Sequence, residues 1–231
     1  MSVALVAVLV AASTSTTYVE TEPGGGGAIS GRITYHGTPP APARVSVSMD
    51  RKYCGASRDD DTWLIGPDGG VKNVIVYLSD INSGKKMTAA QSLTLNQVGC
   101  HYVPRISVVG QGATIDIKSS DPVLHNVHSY QEGSTLFNVA VPPRQNFQIS
   151  RKLQKTGGIK LKCDVHNFMR AAIFVVSNPY YAITGDDGSY EIADVPPGTY
   201  TVNTWHELAG AVSERVTVPP GGVVAWDHKL K

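Results

Sequence analysis

Apolar and polar residues alternate in short runs along most of this chain, and Gly, Pro, Asn and Asp punctuate the runs. Alternation at a period of two puts one face of an extended segment in a core and the other in water. It predicts strands at residues 29–35, 44–48, 73–78, 107–109, 114–117 and 146–149. It predicts more at 190–192, 199–204, 214–218 and 223–226. Two further strands bracket a short segment: 158–163 alternates, whereas 171–176 is continuously apolar and reads as buried. Asp187-Gly188 between alternating runs predicts a hairpin, and Pro196-Pro197-Gly198 predicts the next turn. Helical periodicity is hard to find beyond the N-terminus, so the fold class is all-β, built as antiparallel sandwiches.

A length of 231 residues is long for one sandwich and comfortable for two. The formal charge of +1 singles out no partner. There is no basic run, no interleaving of aromatic and basic residues and no Gly-rich phosphate loop, which leaves nucleic-acid and nucleotide binding without support. Nor is a nucleophile–base or carboxylate pair found in a local context, so no enzyme activity is predicted. The acids gather at turns, as in Asp59-Asp60-Asp61 and Asp186-Asp187.

Residues 3–12 are small and apolar and end in Val10-Ala11-Ala12, which resembles the core and cleavage site of a secretory signal. The run is shorter than the ~20 residues a membrane span takes, and no membrane span is expected. Export to a periplasm or the exterior follows, with retention as an N-terminal anchor the alternative. Residues 1–27 are thus a signal-like segment followed by a flexible linker ending in four glycines.

The chemistry concentrates at Cys163-Asp164-Val165-His166-Asn167-Phe168-Met169. A thiolate, an imidazole and a thioether lie between two strands, and His125 on another strand offers a second imidazole. Two His and one Cys in a plane, with Met as a long axial ligand, is the donor set of a blue-copper electron-transfer site. Soft sulfur favours copper over calcium or magnesium. His128 is offset from His125 by three positions and points to the other face, so it is a surface or supporting residue. His101, His206 and His228 lack spaced partners; His206 reads as an edge residue packed against a Trp, and His36 as solvated. A copper oxidase would need a further His cluster and storage would favour more than the 4 Met present.

Cys-x2-His-x2-Met after an upstream His-Asn-Val-His resembles the cupredoxins, amicyanin most of all, over residues 91–177. The resemblance implies a Greek-key domain with one type 1 copper on His125, Cys163, His166 and Met169. It implies that Asn126 ties the two ligand segments together, with Asp164 beside the thiolate. It further implies that His166, flanked by Phe168, reaches the surface through an apolar patch as the exit for the electron. A redox protein, such as a c-type cytochrome, would dock there.

The flanks, residues 28–90 and 178–231, carry motifs similar to the transthyretin-like, or carboxypeptidase-regulatory-like, β-sandwich. Together they would supply one seven-stranded sandwich into which the cupredoxin is inserted; alternatively the early strands join the cupredoxin sheet. The combination resembles exported plastocyanin-like or methylamine-utilisation proteins. With Cys163 on copper, Cys54 and Cys100 remain as a candidate disulfide in an oxidising compartment, the alternative being two separate thiols. The favoured function is an exported one-electron carrier. Its rivals are an envelope or filament protein with a stabilising copper site, and a copper storage or delivery protein.

Overall fold

The computed structural model describes residues 17–22, 24–41, 43–144 and 150–231. The signal-like run and the strand predicted at 146–149 lie outside them. Among the described residues the protein is all-β, with a single four-residue helix at Arg51–Cys54.

One sandwich is a continuous eight-stranded sheet. Its order is Ser134–Val141, His125–Gln131, Gly157–Lys162, Arg170–Val176, Ile106–Ser119, Ala90–Val98 and His101–Val103, with Arg151–Lys152 also on Ile106–Ser119. Most pairings are antiparallel. Ile106–Ser119, however, runs parallel to Arg170–Val176 over its first half and parallel to Ala90–Val98 over its second. This single 14-residue strand replaces the two short ones predicted at 107–109 and 114–117. Gly110-Gln111-Gly112 lets the strand bend and change partners without ending, Gly112 sitting at φ +85°. Leu95, Ile115, Ile117, Val127, Ile159, Leu161 and Ile173 fill the space inside.

The second sandwich interleaves the two flanks. Ile75–Leu78 lies between Tyr181–Ile183 and Gly198–His206, with Gly210–Val218 beyond. Gly27–Tyr35 lies between Ser189–Val195 and Val223–Ala225, and also pairs with His228–Leu230. Each sheet therefore has a strand of the N-terminal flank at its centre. The turn at Asp187-Gly188 is tight, with the Gly188 amide donating to the Gly185 carbonyl, yet it does not close the predicted hairpin. Tyr181–Ile183 pairs with Ile75–Leu78 and Ser189–Val195 with Gly27–Tyr35, so the chain arches from one sheet to the other.

Three sequence expectations change. The Gly-rich stretch is not a free linker: Val19–Glu20 pairs with Ser83–Gly84, and a Cβ on Gly27 would stand 2.4 Å from the Gly222 carbonyl oxygen. Gly26 and Gly27 permit close backbone approach. Arg44–Ser46 joins neither main sheet; it pairs with Ser57–Asp59 around the short helix. Val47 and Cys54 from this excursion bury themselves in the other sandwich's core, so residues 44–59 form a cap over one of its ends. His206, finally, is 3% exposed and stacks on Trp63 at 4.5 Å, well inside rather than at an edge.

The sandwiches meet along Ile75, Ala89, Phe174 and Val176, with Tyr77 and Trp205 packed against them. Trp205 lies so close to Gly158 that a Cβ there would sit 2.1 Å from the indole. Arg105 bridges the junction, paired with Glu207 and, at 3.0 Å, with Asp61.

Because residues 178–231 lack both central strands, that piece expressed alone should show no cooperative thermal transition, a point checked by calorimetry. A second expectation concerns acid. Burial, with the Arg105 charge adding to it, pushes the His206 imidazole down to about 4. The unfolded chain takes up this proton near pH 6.5 while the folded chain does not, so stability falls as pH drops through that window. Urea titrations should show His206 costing about 2 kcal/mol between pH 6.5 and 5, with a flat contribution above pH 7. The His206→Phe variant should lose that slope.

Candidate metal centre

Four segments bring the candidate ligands to one end of the first sandwich. His125 opens the strand His125–Gln131, Cys163 follows Gly157–Lys162, and Met169 immediately precedes Arg170–Val176. His166 lies in the turn between them. That turn is closed by the Met169 amide on the His166 carbonyl at 2.9 Å and the Cys163 amide on the Met169 carbonyl at 3.2 Å. Pinned at both strand ends, this short loop exposes Asp164 and Asn167 and turns Cys163, His166 and Met169 inward.

They face one another. The Nδ1 atoms of His125 and His166 are 3.0 Å apart, and Cys163 Sγ is 3.8 Å from His166 Nδ1. One donor atom from each of the three residues lies within 4.8 Å of the others. His125, His166, Cys163 and Met169 are at most 2% exposed. Met169 belongs to the same core cluster as Cys163.

The surroundings fit a soft cation. Cys163 Sγ accepts from the amides of Asn126 at 3.5 Å and His166 at 3.4 Å. Burial pushes its thiol up, while backbone donors at Asn126, His166 and Val165 oppose that. A buried thiolate wants a positive partner. Burial, joined by His166, pushes the His125 imidazole down against the pull of Asp121, which leaves a neutral ring ready to ligate. Two nitrogens and a sulfur converge in a buried cluster, the N/S donor set that copper or zinc prefers and calcium or magnesium does not.

Asn126 spans the two ligand segments. Its Oδ1 accepts from the Asp164 amide at 2.6 Å, and its Nδ2 donates to Asp164 Oδ2 at 2.9 Å and Asn138 Oδ1 at 2.7 Å. Asp164 also meets Asn138 Nδ2 at 3.0 Å and His128 Nδ1 at 2.9 Å. His128 therefore stands outside the donor cluster, held by Asp164 and by Thr135 at 3.0 Å.

Sequence reasoning missed the carboxylates behind both imidazoles. Asp121 Oδ2 lies 2.9 Å from His125 Nε2, and Asp50 Oδ2 lies 3.1 Å from His166 Nε2. A carboxylate on the far nitrogen fixes the ring's tautomer and orientation and raises its basicity toward a metal. Nothing in the sequence near His166 points to Asp50, which comes from the cap 116 positions away.

The same cap changes the expected exit. His166 is not at the surface: it is 1% exposed, with Asp50 on its outer nitrogen and Cys54 Sγ 3.7 Å from that atom. Phe168 packs beside it, ring centres 5.7 Å apart. The physical reason is the excursion of residues 44–59, which carries a polar group for the ring edge that would otherwise need water. Cys54 and Cys100 are joined by a disulfide with a sequence separation of 46, holding this cap on the sandwich. In the chain-entropy picture a loop of that length contributes about 4 kcal/mol. Cys100 also falls near Asp121 and His125, but its sulfur is engaged in the disulfide.

No protein-family model and no curated protein matches the sequence. Among solved structures, a copper-containing nitrite reductase from Thermus scotoductus SA-01 overlaps 37% of this chain and 22% of its own, at 17% identity and TM-score 0.33. The chain thus spans about a fifth of that enzyme's length. A purple cupredoxin from Nitrosopumilus maritimus overlaps 36% of this chain and 99% of its own, at 20% identity and TM-score 0.32. A reduced Cu(I) amicyanin variant at pH 4 overlaps 38% of this chain and 86% of its own, at 21% identity and TM-score 0.34. The case for a metal centre here rests on the side chains around Cys163.

If Asp50 tunes His166, the Asp50→Asn variant should bind cupric ion about 10- to 100-fold more weakly in a chelator-competition titration. Asp50→Glu should recover part of that loss, which mere disturbance of the cap would not.

Proposed function

We propose that this chain is an exported type 1 copper protein that carries single electrons between redox partners. The observation that supports it is the convergence of His125, Cys163 and His166 in a buried cluster closed by the strand end at Met169. Bound copper would supply a one-electron couple. The protein's own part is to hold two imidazoles, a thiolate and a thioether in one arrangement for both oxidation states. Strand ends and the Asn126–Asp164 tie resist movement of the ligand loop, and the buried setting excludes water that would have to reorient. With all donors buried, no side is offered to a substrate, and the reading is non-catalytic.

A disulfide suits an oxidising compartment, in line with export to a periplasm or the exterior. The flanking sandwich is read as a transthyretin-like, carboxypeptidase-regulatory-like module whose two parts, residues 28–90 and 178–231, enclose the cupredoxin of residues 91–177. The redox partner is a protein of the c-type cytochrome kind, engaged through a small transient interface.

Adding cupric ion to the purified chain should give an intense visible absorption, since thiolate-to-copper charge transfer causes it. Cys163→Ala should abolish the colour. Met169→Gln should keep the metal and shift the reduction potential, because the axial ligand tunes it. Colourless copper binding by the unaltered protein would refute the carrier reading and favour storage or a structural role.

A further inference from the structure

With His166 roofed by Asp50 and the disulfide, its ring edge offers a partner no contact. A second approach to the ligand loop lies between the two sandwiches. A groove of about 690 Å³ opens there, and three of its lining residues are chain neighbours of ligands. Lys162 precedes Cys163, Asn167 follows His166 and Arg170 follows Met169.

The groove is chemically one-sided. Lys160 and Lys162 stand exposed on one strand, and Arg170 sits directly across from Lys162 on the next. Like charges placed opposite one another on a sheet repel, and Arg170 is offset only at a distance, by the charges of Glu207 and Asp60. Among the described residues, Glu207 forms its ion pair with Arg105 and Glu132 with Lys155, so neither makes a direct ion pair with the trio. Lys162 instead lies over the Tyr130 ring at 4.5 Å. The groove's inner wall is aromatic, with the Phe174 ring centre 4.7 Å from that of Tyr77 and 5.5 Å from that of Trp205. Fixed aromatic rings inside a polar rim are the usual make-up of a protein contact surface.

We propose that this groove is where the redox partner docks, and that the partner presents an acidic rim to Lys160, Lys162 and Arg170. The inference rests on the electron-carrier reading and adds the face and the charge of the partner. A positive field beside the ligand loop draws an acidic protein to that loop and speeds encounter at low salt. The contact is small enough to release its partner after one electron has passed.

Two measurements test it on the full chain. Hexacyanochromate(III), a paramagnetic anion that does not exchange electrons here, should broaden the amide signals of Lys160, Lys162 and Arg170 in the metal-free protein. Broadening confined to the cap, at Arg51 and Lys52, would overturn the proposal. Second, the cuprous protein is oxidised by hexacyanoferrate(III), one electron reducing each ferric complex to the ferrous one. Lys160→Glu with Lys162→Glu should slow this by at least about tenfold at low ionic strength, the difference closing in high salt. A cationic oxidant, tris(phenanthroline)cobalt(III), should react faster with the same variant, while Arg51→Glu with Lys52→Glu should leave both rates unchanged. A protein that turns blue yet shows none of these charge effects refutes the docking face alone. One that never turns blue refutes the carrier reading, and the anion mapping on the unaltered chain still decides whether the groove holds an acidic ligand.

Discussion

The carboxylate of Asp121 accepts from the Gly99 and Cys100 amides at 2.6 and 2.8 Å, from Tyr53 Oη at 2.9 Å, and faces His125 Nε2 at 2.9 Å. It is 1% exposed. Burial alone would raise its protonation, but those donors hold it below the usual carboxylate range. A buried charge is tolerated only when its partners are all in place. Here they come from three separate segments: the turn bearing Cys100, the cap helix, and the strand that opens at His125. If any one slips, a buried acceptor is left unmet, at about 1–3 kcal/mol. The first imidazole is therefore aimed by the same carboxylate that locks the cap and the disulfide turn, Oδ1 taking Tyr53 and Gly99 while Oδ2 takes Cys100 and faces His125.

The cap couples the two sandwiches. It leaves the second sandwich after Gly27–Tyr35 and returns to it before Ile75–Leu78, yet it buries Val47 and Cys54 in the first. Its backbone turns at Asp50, which adopts φ +53°, a conformation Asp tolerates better than most residues. Asp50 thus serves both as the turn and as the carboxylate on His166. Arg105 performs a similar bridging at the junction, its charge shared between Asp61 and Glu207.

The legible parts of this protein were local. Gly157–Lys162 buries Ile159 and Leu161 and exposes Lys160 and Lys162, Ser189–Val195 buries Tyr190 and Ile192 beside exposed Ser189 and Glu191, and pattern is enough to find such strands. Ala90–Val98 carries Gln91, Ser92, Thr94, Asn96 and Gln97, with too little apolar alternation to mark a strand in sequence. Gly110-Gln111-Gly112 read as a break because a glycine-permitted bend and a turn look alike in sequence. Cys163, His166 and Met169 stood out because a seven-residue segment held them all. Asp50 could not, since a contact across 116 positions leaves no spacing to detect. The buried state of His166 was hidden for the same reason.

Roofing His166 alters what the ligand loop can do. An imidazole edge open to water would be a point of contact and also a point where solvent must rearrange when charge changes. Here Asp50 replaces that water with a fixed acceptor carried on a disulfide-held element, so the ring keeps its hydrogen bond without solvent. The benefit is rigidity, and the cost is contact. Lys162, Asn167 and Arg170, each next in sequence to a candidate ligand, line the groove between the sandwiches instead. The second sandwich then has a physical role at the site: Trp205 lies against Gly158, and with Tyr77 it forms the wall that turns an exposed sheet face into a groove.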